Sequence, residues 1–180
     1  STRGMSSAAS DVYKRQLTVY PNDKSSPKYK TEVRFFSNEK GIYFGFLNEQ
    51  PIETQTPLKH PRDKWFVDAD RNLIMIDFDA NSNVGYEFSV TLGDTLRDAI
   101  WTNENEKSGS WDAIWFAKTH QTESAWYSEF FIPWEVAPMN VVAEKERSIK
   151  VSFFRKHHSE NKFYNFPGLW SEQSLSLIHI

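Results

Sequence analysis

The 180-residue sequence contains no cysteine, which excludes a disulfide framework and any metal site with cysteine ligands. It has no run of about 18 consecutive apolar residues, so it predicts no transmembrane helix. Its formal net charge is only -3, which does not indicate nucleic acid or an anionic membrane surface as a partner. What remains is a chain of single-domain length, and its 39% of apolar residues can build a hydrophobic core.

Motifs of catalysis are missing as well. The chain has no Gly-x-Ser-x-Gly element, no cysteine nucleophile and no glycine-rich loop that could cradle a phosphate. Aspartate and glutamate are plentiful, so some carboxylates would lie about 5 to 9 Å apart by chance, and such a pair is not informative. The sequence therefore predicts a domain without enzymatic activity of its own.

The two ends of the chain can be encoded by one inverted-repeat DNA element. Residues 11–16 read Asp-Val-Tyr-Lys-Arg-Gln, and residues 175–180 read Leu-Ser-Leu-Ile-His-Ile. A coding sequence for the first has a reverse complement that encodes the second, and it resembles the transposon mosaic end used to prepare sequencing libraries. We therefore expect residues 1–16 and 175–180 to be adaptor-derived, and residues 17–174 to be a domain that lacks its N-terminal part. The alternative is a genuine amphipathic first segment and a genuine apolar last strand.

Alternation of apolar and polar residues predicts many short β-strands. The predicted strands are residues 31–36, 41–47, 73–79, 86–92, 95–101, 111–119, 124–132 and 148–155. Both faces of 73–79 are largely apolar, which predicts a central strand. A short helical turn is predicted in 134–139 and loops in 51–64 and 102–110, with no helix of ten or more residues. The fold class is therefore all-β, an antiparallel β-sandwich of jelly-roll type.

One segment has the oxygen-rich spacing of a calcium loop, with four Asp and Asn residues at alternate positions from Asp77 to Asn83. Ser82 stands where an EF-hand has glycine, and Phe88 stands where it has a bidentate glutamate, so an EF-hand is excluded. The favoured interpretation is a strand that ends in a polar turn. The alternative is a hard-cation site, such as calcium, built on acidic residues of this region, which are Asp68, Asp70, Asp77 or Asp79.

Histidine offers little support for a metal or haem site. His157 and His158 are adjacent, so on a strand their side chains point to opposite faces. They therefore do not hold one ion together, and no spacing of histidine with methionine indicates haem ligation.

Aromatic residues are abundant, at 16% of the chain with seven tryptophans. Trp111, Trp115 and Trp126 alternate with polar residues inside predicted strands, which is typical of a core. Trp65, Trp101 and Trp170 instead neighbour asparagine, aspartate, arginine, proline or glycine. A flat apolar ring beside such polar groups suits a sugar, because the ring covers the C–H face while the polar groups bond the hydroxyls. The alternative is that these rings close the open ends of the sandwich.

Five blocks of the sequence together resemble one known family. They are residues 31–34, 41–44, 70–77, 111–115 and 125–134, and the last two read Trp-Asp-Ala-Ile-Trp and Ala-Trp-Tyr-Ser-Glu-Phe-Phe-Ile-Pro-Trp. In this order they resemble the carbohydrate-binding module family 9 domain, from about Tyr29 to Trp170. The resemblance is closer to the branch that precedes a predicted outer-membrane barrel region in bacterial proteins. It implies an antiparallel β-sandwich, in agreement with the strand pattern.

The resemblance also implies a function and a context. It implies a non-catalytic module that binds a carbohydrate and lies outside the bacterial cell, in the periplasm or at the outer membrane. In the full-length protein it would be attached to a catalytic domain, such as a glycoside hydrolase, or to the barrel. The alternative is an accessory sandwich of a barrel protein that makes contacts without binding sugar.

The sugar-binding residues of the family are not all present. Its members clamp a glycan end between two tryptophans, with a glutamate and an arginine from adjacent strands. Here Leu73 stands at the glutamate position, Ser89 at the arginine position and Val67 at the first tryptophan. Because leucine cannot bind hydroxyls, the resemblance implies that the family clamp is not preserved. We expect a ligand to be held by a different arrangement of nearby residues: Arg62, Trp65, Asp68 and Trp170.

Overall fold

A computed structural model describes residues 27–64, 67–103, 106–140 and 147–166, and the backbone of three short segments, 13–16, 18–20 and 176–179. In chain order the strands are β1 (Tyr13–Gln16), β2 (Thr18–Tyr20), β3 (Thr31–Asn38), β4 (Gly41–Glu49), β5 (Arg71–Asp77), β6 (Val84–Thr91), β7 (Leu96–Thr102), β8 (Glu106–Ser108), β9 (Phe116–Gln121), β10 (Ala125–Pro133), β11 (Ser148–His157), β12 (Lys162–Phe166) and β13 (Ser176–His179). Short 3-10 turns occupy Ile52–Thr54 and Trp134–Val136. In the part of the chain described, no helix has the length and apolar character needed to span a bilayer.

The strands form two antiparallel sheets that pack face to face around one core. The five-stranded sheet has the order β1-β3-β4-β10-β9. The eight-stranded sheet has the order β2-β12-β11-β5-β6-β7-β8, with β13 also paired to β11. The predicted all-β antiparallel sandwich is therefore confirmed. Strand β5, which we predicted to be central, lies between β11 and β6.

The β3–β4 hairpin is fixed by side-chain and packing constraints at its turn. The side-chain oxygen of Asn38 accepts hydrogen bonds from the backbone N–H groups of Lys40 and Gly41, at 2.9 and 3.3 Å. This is the local bonding that makes asparagine a frequent turn residue. A Cβ atom on Gly41 would lie 2.3 Å from the carbonyl oxygen of Ile132, so only glycine fits against the neighbouring strand.

The core is built largely from aromatic rings of both sheets. Phe153 of the eight-stranded sheet lies 5.7 Å from the Phe44 ring and 5.9 Å from the Phe46 ring of the five-stranded sheet. Trp115 and Trp126 are 2% and 0% exposed, as expected for core residues, and Trp111 packs against the core while partly exposed. Burying each such side chain contributes roughly 1.5 to 3 kcal/mol, so these contacts dominate the packing energy.

The predicted strand 111–119 is corrected by the structure. Only Phe116–Gln121 forms a strand, and 111–115 is irregular. The backbone there is bonded by side chains, because Ala113 N–H donates to Asp98 at 2.8 Å and its carbonyl accepts from Arg62 at 3.1 Å. These bonds replace the ladder of a neighbouring strand, while the alternation of buried and exposed side chains is kept.

Two of the strands fall inside the end segments that we attribute to the DNA element. Strand β1 pairs with β3 at the edge of the five-stranded sheet, and β13 pairs with β11. The pairing describes how these segments fold and does not bear on their origin. The adaptor origin of 1–16 and 175–180 stays a prediction.

A buried polar network joins the two sheets at one end of the sandwich, with Gln50 at its centre. The side-chain oxygen of Gln50 accepts hydrogen bonds from Trp126 Nε1 and Arg155 Nη2, each 3.0 Å long. Its amide nitrogen donates to the carboxylate of Asp70 and to the carbonyl of Thr54, each at 2.9 Å. Gln50 therefore links the two opposite charges of Asp70 and Arg155 without their direct contact. Burial lowers the pKa of Arg155 to about 10.

His157 lies near this network, fully buried, and neither of its ring nitrogens has a hydrogen-bond partner among the described residues, although Nδ1 lies 3.7 Å from a carboxylate oxygen of Glu160. Burial, followed by the positive charge of Arg155, lowers the pKa of His157 below 6.5. The charges of Asp70 and Glu160 oppose this shift, and the charge of Lys28 adds to it. The ring is therefore held in its neutral form.

We expect the free energy of unfolding to decrease as the pH falls below 6.5. The unfolded chain takes up a proton on His157 that the buried ring binds only at lower pH, so acid favours unfolding. Urea unfolding at about pH 7.5 and about pH 5.5 measures this. His157→Phe should make the dependence shallower, whereas His120→Phe, at an exposed position, should not. Identical pH dependence in wild type and His157→Phe would contradict the assignment.

Candidate functional site

Leu73 and Ser89 lie side by side on the outer face of the eight-stranded sheet, the face turned away from the core. The register of β5 and β6 places Leu73 directly opposite Ser89. Both side chains are buried, with 6% and 2% of their surface exposed. The family resemblance places the glutamate and arginine of the glycan clamp at these two positions. The structure therefore brings together two of the three positions at which this sequence departs from the family pattern.

A charged cluster lies beside these positions on the same face. Glu87, two residues before Ser89 on β6, is fully buried. One carboxylate oxygen of Glu87 binds Arg97 Nη2 at 2.5 Å, and the other accepts from Lys107 Nζ at 2.6 Å and Trp101 Nε1 at 2.9 Å. Arg97 is the direct cross-strand partner of Ser89. A glutamate and an arginine thus flank the positions where the family pair is missing.

The charges of this cluster depend on one another. Burial opposes ionisation of Glu87, but the charges of Arg97 and Lys107 outweigh it and lower the Glu87 pKa below 4.5. Burial also lowers the pKa of Lys107 below 10.5, although Glu87 opposes that shift. Arg71, on the same face, has its pKa lowered by burial and by the charge of Arg97. Glu87 is the anion that holds these cations together.

Arg62, a predicted ligand residue, is held by carboxylates in the loop before β5. Its Nη2 donates to both carboxylate oxygens of Asp98, at 3.0 and 3.1 Å. The same nitrogen lies 2.7 Å from Asp112, and Nε lies 3.2 Å from Asp63. Burial raises the pKa of Asp98, against the opposing effects of the Ala113 N–H and of Arg62. Arg62 therefore fastens its loop to β7, and its contact with a ligand stays a prediction.

The three acidic partners of Arg62 also form a possible cation site. Carboxylate oxygens of Asp63, Asp98 and Asp112 lie within 4.8 Å of one another, the one such grouping of three or more side chains found in the described ranges. The Arg62 guanidinium already places a positive charge among them. A metal ion there would compete with Arg62, so the arrangement is complete without one.

The carboxylates of Asp77 and Asp79, the predicted cation ligands, accept hydrogen bonds from N–H groups of the protein. The two carboxylate oxygens of Asp77 accept from the backbone of Asp79 at 3.1 Å and of Ser82 at 2.6 Å. Asp79 accepts from Arg147 Nη1 at 3.0 Å and from Asn140 Nδ2 at 2.9 Å. This geometry suits the favoured interpretation of a polar turn at a strand end. A calcium ion at Asp77 and Asp79 stays a prediction.

A cavity of about 300 Å³ opens beside this turn. It is lined by Asp77, Phe78, Asp79, Asn81, Val84, Tyr86, Pro138, Met139 and Asn140. Burial and the charges of Asp79 and Asp77 raise the pKa of Tyr86 above 10.0, so its hydroxyl stays protonated. The volume is at the lower end of the range for small-molecule sites, roughly 300 to 1,000 Å³.

The remaining predicted site residues lie in different parts of the structure. Asp68 is exposed just before β5, whereas Asp70 is fully buried and belongs to the Gln50 network. Trp101, predicted to be a surface aromatic, lies on β7 with its indole N–H bound to Glu87. Trp65 and Trp170 lie outside the described residues, so their contribution stays a prediction.

Sequence reasoning missed the Glu87 cluster. Glu87 belongs to the polar half of the alternation in β6, which the sequence marks only as a solvent face. Lys107 follows within a segment that the sequence predicts as a loop, where the structure has β8. The available signal was the concentration of charged residues on adjacent predicted strands, but pairing register is needed to bring them together.

No protein-family model matches the sequence, and no curated protein matches it. Solved structures do match its fold. A candidate carbohydrate-binding protein of Bacteroides uniformis has a TM-score of 0.73 and 9% identity, covering 93% of this chain and 86% of that one. A carbohydrate-binding module family 9 protein of Caldicellulosiruptor kristjanssonii in complex with cellotriose has a TM-score of 0.55 and 12% identity, covering 86% and 72%. A family 9 carbohydrate-binding module of the same organism in complex with glucose has a TM-score of 0.50 and 12% identity, and the match covers 83% of this chain and 72% of that one. The chain shares the β-sandwich fold of these proteins.

Proposed function

We propose that this domain is a non-catalytic carbohydrate-binding module with its ligand at the outer face of the eight-stranded sheet. The observation that carries the proposal is the position of Glu87 and Arg97. They flank Leu73 and Ser89, where the resemblance places the acid and the arginine of the family clamp. The shared fold with a family 9 protein in complex with cellotriose supports the same class of ligand.

The chemistry of the cluster suits a sugar, with Glu87 as a positioning residue. Both Glu87 oxygens are already bonded, so Glu87 orients Arg97, Lys107 and Trp101 and does not itself receive the ligand. Guanidinium and ammonium groups donate to hydroxyl oxygens, and an indole ring covers a C–H face. Trp65 and Trp170 would supply the apolar walls of the site, and Asp68 a further polar contact. Arg62 is bonded to Asp98, which faces the core side of β7, so it does not join the cluster on the outer face.

The context of the domain belongs to the same proposal. We place it outside the bacterial cell, in the periplasm or at the outer membrane, as part of a longer protein with a catalytic or barrel domain. A second candidate, an accessory sandwich that contacts such a barrel without binding sugar, is favoured by Leu73 and Ser89, which replace the charged pair of the clamp. Sequencing the intact gene on both sides of the chain separates the two contexts.

Titration with glucose, cellotriose and a glycan array tests the binding function. Trp65→Ala and Trp170→Ala should each weaken binding at least about tenfold, the scale for losing an apolar contact in a site. Ile52→Ala, which removes a side chain that is 51% exposed, is the matched control and should bind as wild type. Absence of binding to every glycan by the wild-type chain would overturn the proposal and leave the accessory role.

A further inference from the structure

A row of stacked aromatic rings crosses the outer face of the five-stranded sheet, on the opposite side of the sandwich. The register aligns Phe36 on β3, Tyr43 on β4, Phe131 on β10 and Phe116 on β9. Neighbouring ring centres are 4.6, 4.6 and 6.1 Å apart, with interplanar angles of 3°, 18° and 11°. Phe36 is 40% and Phe116 56% exposed, so the row faces solvent. We call these four residues the aromatic row.

Gly45 creates a gap beside this row, and no side chain of the described residues fills it. It lies two residues after Tyr43 on β4, so both face outward. A Cβ atom on Gly45 would have no heavy atom within 4 Å outside its chain neighbours, and its φ is not positive. Neither packing nor backbone conformation requires glycine here. Glycine inside a strand costs roughly 0.5 to 1 kcal/mol relative to alanine, and it often marks a place where a ligand approaches the backbone.

Polar side chains border the gap at the same level of the sheet. Gly45 pairs with Arg34 on one side and Glu129 on the other, and Glu129 pairs with Lys118. Arg34 is bonded to Glu32, and Lys118 is bonded to Asp94. The exposed Glu129 carboxylate has no hydrogen-bond or ion-pair partner in the described ranges. An acceptor therefore stands next to the gap.

We propose that this face is a second carbohydrate site, in which an extended polysaccharide lies across the strands in the trough between the aromatic row and Arg34, Gly45 and Glu129. Four strands about 4.8 Å apart give a trough of about 14 Å, long enough for about two to three sugar units. Because the rings stack face to face along the row, the ligand's apolar ring hydrogens contact their outward edges, and its hydroxyls bond Glu129 and Arg34. The inference rests on the proposed function, from which it takes the class of ligand. It goes beyond that function because it places a second site on the opposite sheet and assigns that site a longer ligand.

A sugar chain explains the trough better than a protein surface does. A protein partner would be matched by a continuous apolar patch. On this face, one row of cross-strand partners is aromatic, and the next row is charged with the Gly45 gap at its centre. A pyranose chain presents apolar ring faces and polar edges side by side, as the two sides of the trough do. The gap lets the chain approach the sheet backbone, which any side chain at position 45 would prevent.

Gly45→Thr is the variant that tests the site. Threonine favours strands and meets no atom here, so thermal unfolding should occur at the same or a higher temperature than in wild type. Affinity electrophoresis with hydroxyethylcellulose, xylan and mannan should show at least about tenfold weaker binding, because the added side chain fills the trough. Phe116→Ala should weaken binding as well. Gly109→Thr, at the other described glycine with no atom within 4 Å of its Cβ position, should bind as wild type.

The outcomes separate this inference from the proposed function. If Trp170→Ala abolishes cellotriose binding but leaves polysaccharide binding, and Gly45→Thr removes the latter, two sites are present. If wild type binds glycans and Gly45→Thr binds every probe equally well, the second site is absent and the proposed function stands. If no probe binds wild type, both fail. If Gly45→Thr instead changes the sedimentation of the chain, the face contacts a second copy and the inference is overturned.

Discussion

Glu87→Gln should lower the free energy of unfolding by about 3 to 5 kcal/mol, the range for removing one partner of a buried ion pair. Glutamine keeps the size of the side chain and one acceptor but removes the negative charge. Arg97 and Lys107, which are 11% and 12% exposed, would then repel each other and Arg71 with little screening by water. Urea unfolding at neutral pH measures the loss, and an unchanged midpoint would contradict the role of Glu87.

The loss of folding stability at acid pH gives an independent measure of the role of Glu87. Because the folded pKa of Glu87 is lowered, its contribution is complete above 4.5 and is lost as the pH falls through the folded value. Wild type should therefore lose more stability than Glu87→Gln between about pH 5 and about pH 3. Glu123→Gln, at an exposed carboxylate, is the control and should follow wild type.

Gln50→Leu should be comparably damaging, by about 3 to 5 kcal/mol, although it preserves side-chain volume. Leucine leaves the buried Trp126 indole N–H and the part-buried Thr54 carbonyl without the Gln50 bonds, and a buried group left in this way costs about 1 to 3 kcal/mol. It also removes the bridge between the buried charges of Asp70 and Arg155. Apolar burial by leucine recovers only part of this loss.

Gln121→Leu is the matched control for this prediction. Gln121 is partly buried, and within the described part of the chain its side-chain amide makes one hydrogen bond, a 3.0 Å donation to Gln55. The same chemical change there should cost no more than about 1 kcal/mol, the typical net value of one hydrogen bond. If both variants lose equal stability, the network around Gln50 does not act as a unit.

The strand pattern was predictable because it is local. Alternation over 41–47, 86–92 and 124–132 reports which faces are buried without knowledge of any partner strand. The structure has these strands at Gly41–Glu49, Val84–Thr91 and Ala125–Pro133, so every observed boundary lies within two residues of the predicted one. Strand β8 was missed because Glu-Lys-Ser has no alternation of apolar residues.

The candidate sites were less predictable because they join residues far apart in the chain. Arg62 was found as a polar residue near loop aromatics, but its partner Asp98 lies on β7, 36 positions away. The Gly45 gap is invisible in the sequence, where a glycine inside a strand reads only as a weak strand former. The emptiness of the gap depends on the side chains of β3 and β10.

The sequence by itself determined an all-β sandwich, a core containing Trp115 and Trp126, and the absence of cysteine chemistry, because composition and period-two alternation are properties of the chain alone. Only the tertiary structure decided which polar groups meet. Glu87 and Lys107 are 20 positions apart and become neighbours through the pairing of β6, β7 and β8. The physical reason is that strand register sets cross-strand contacts, and register depends on the packing of the whole sheet.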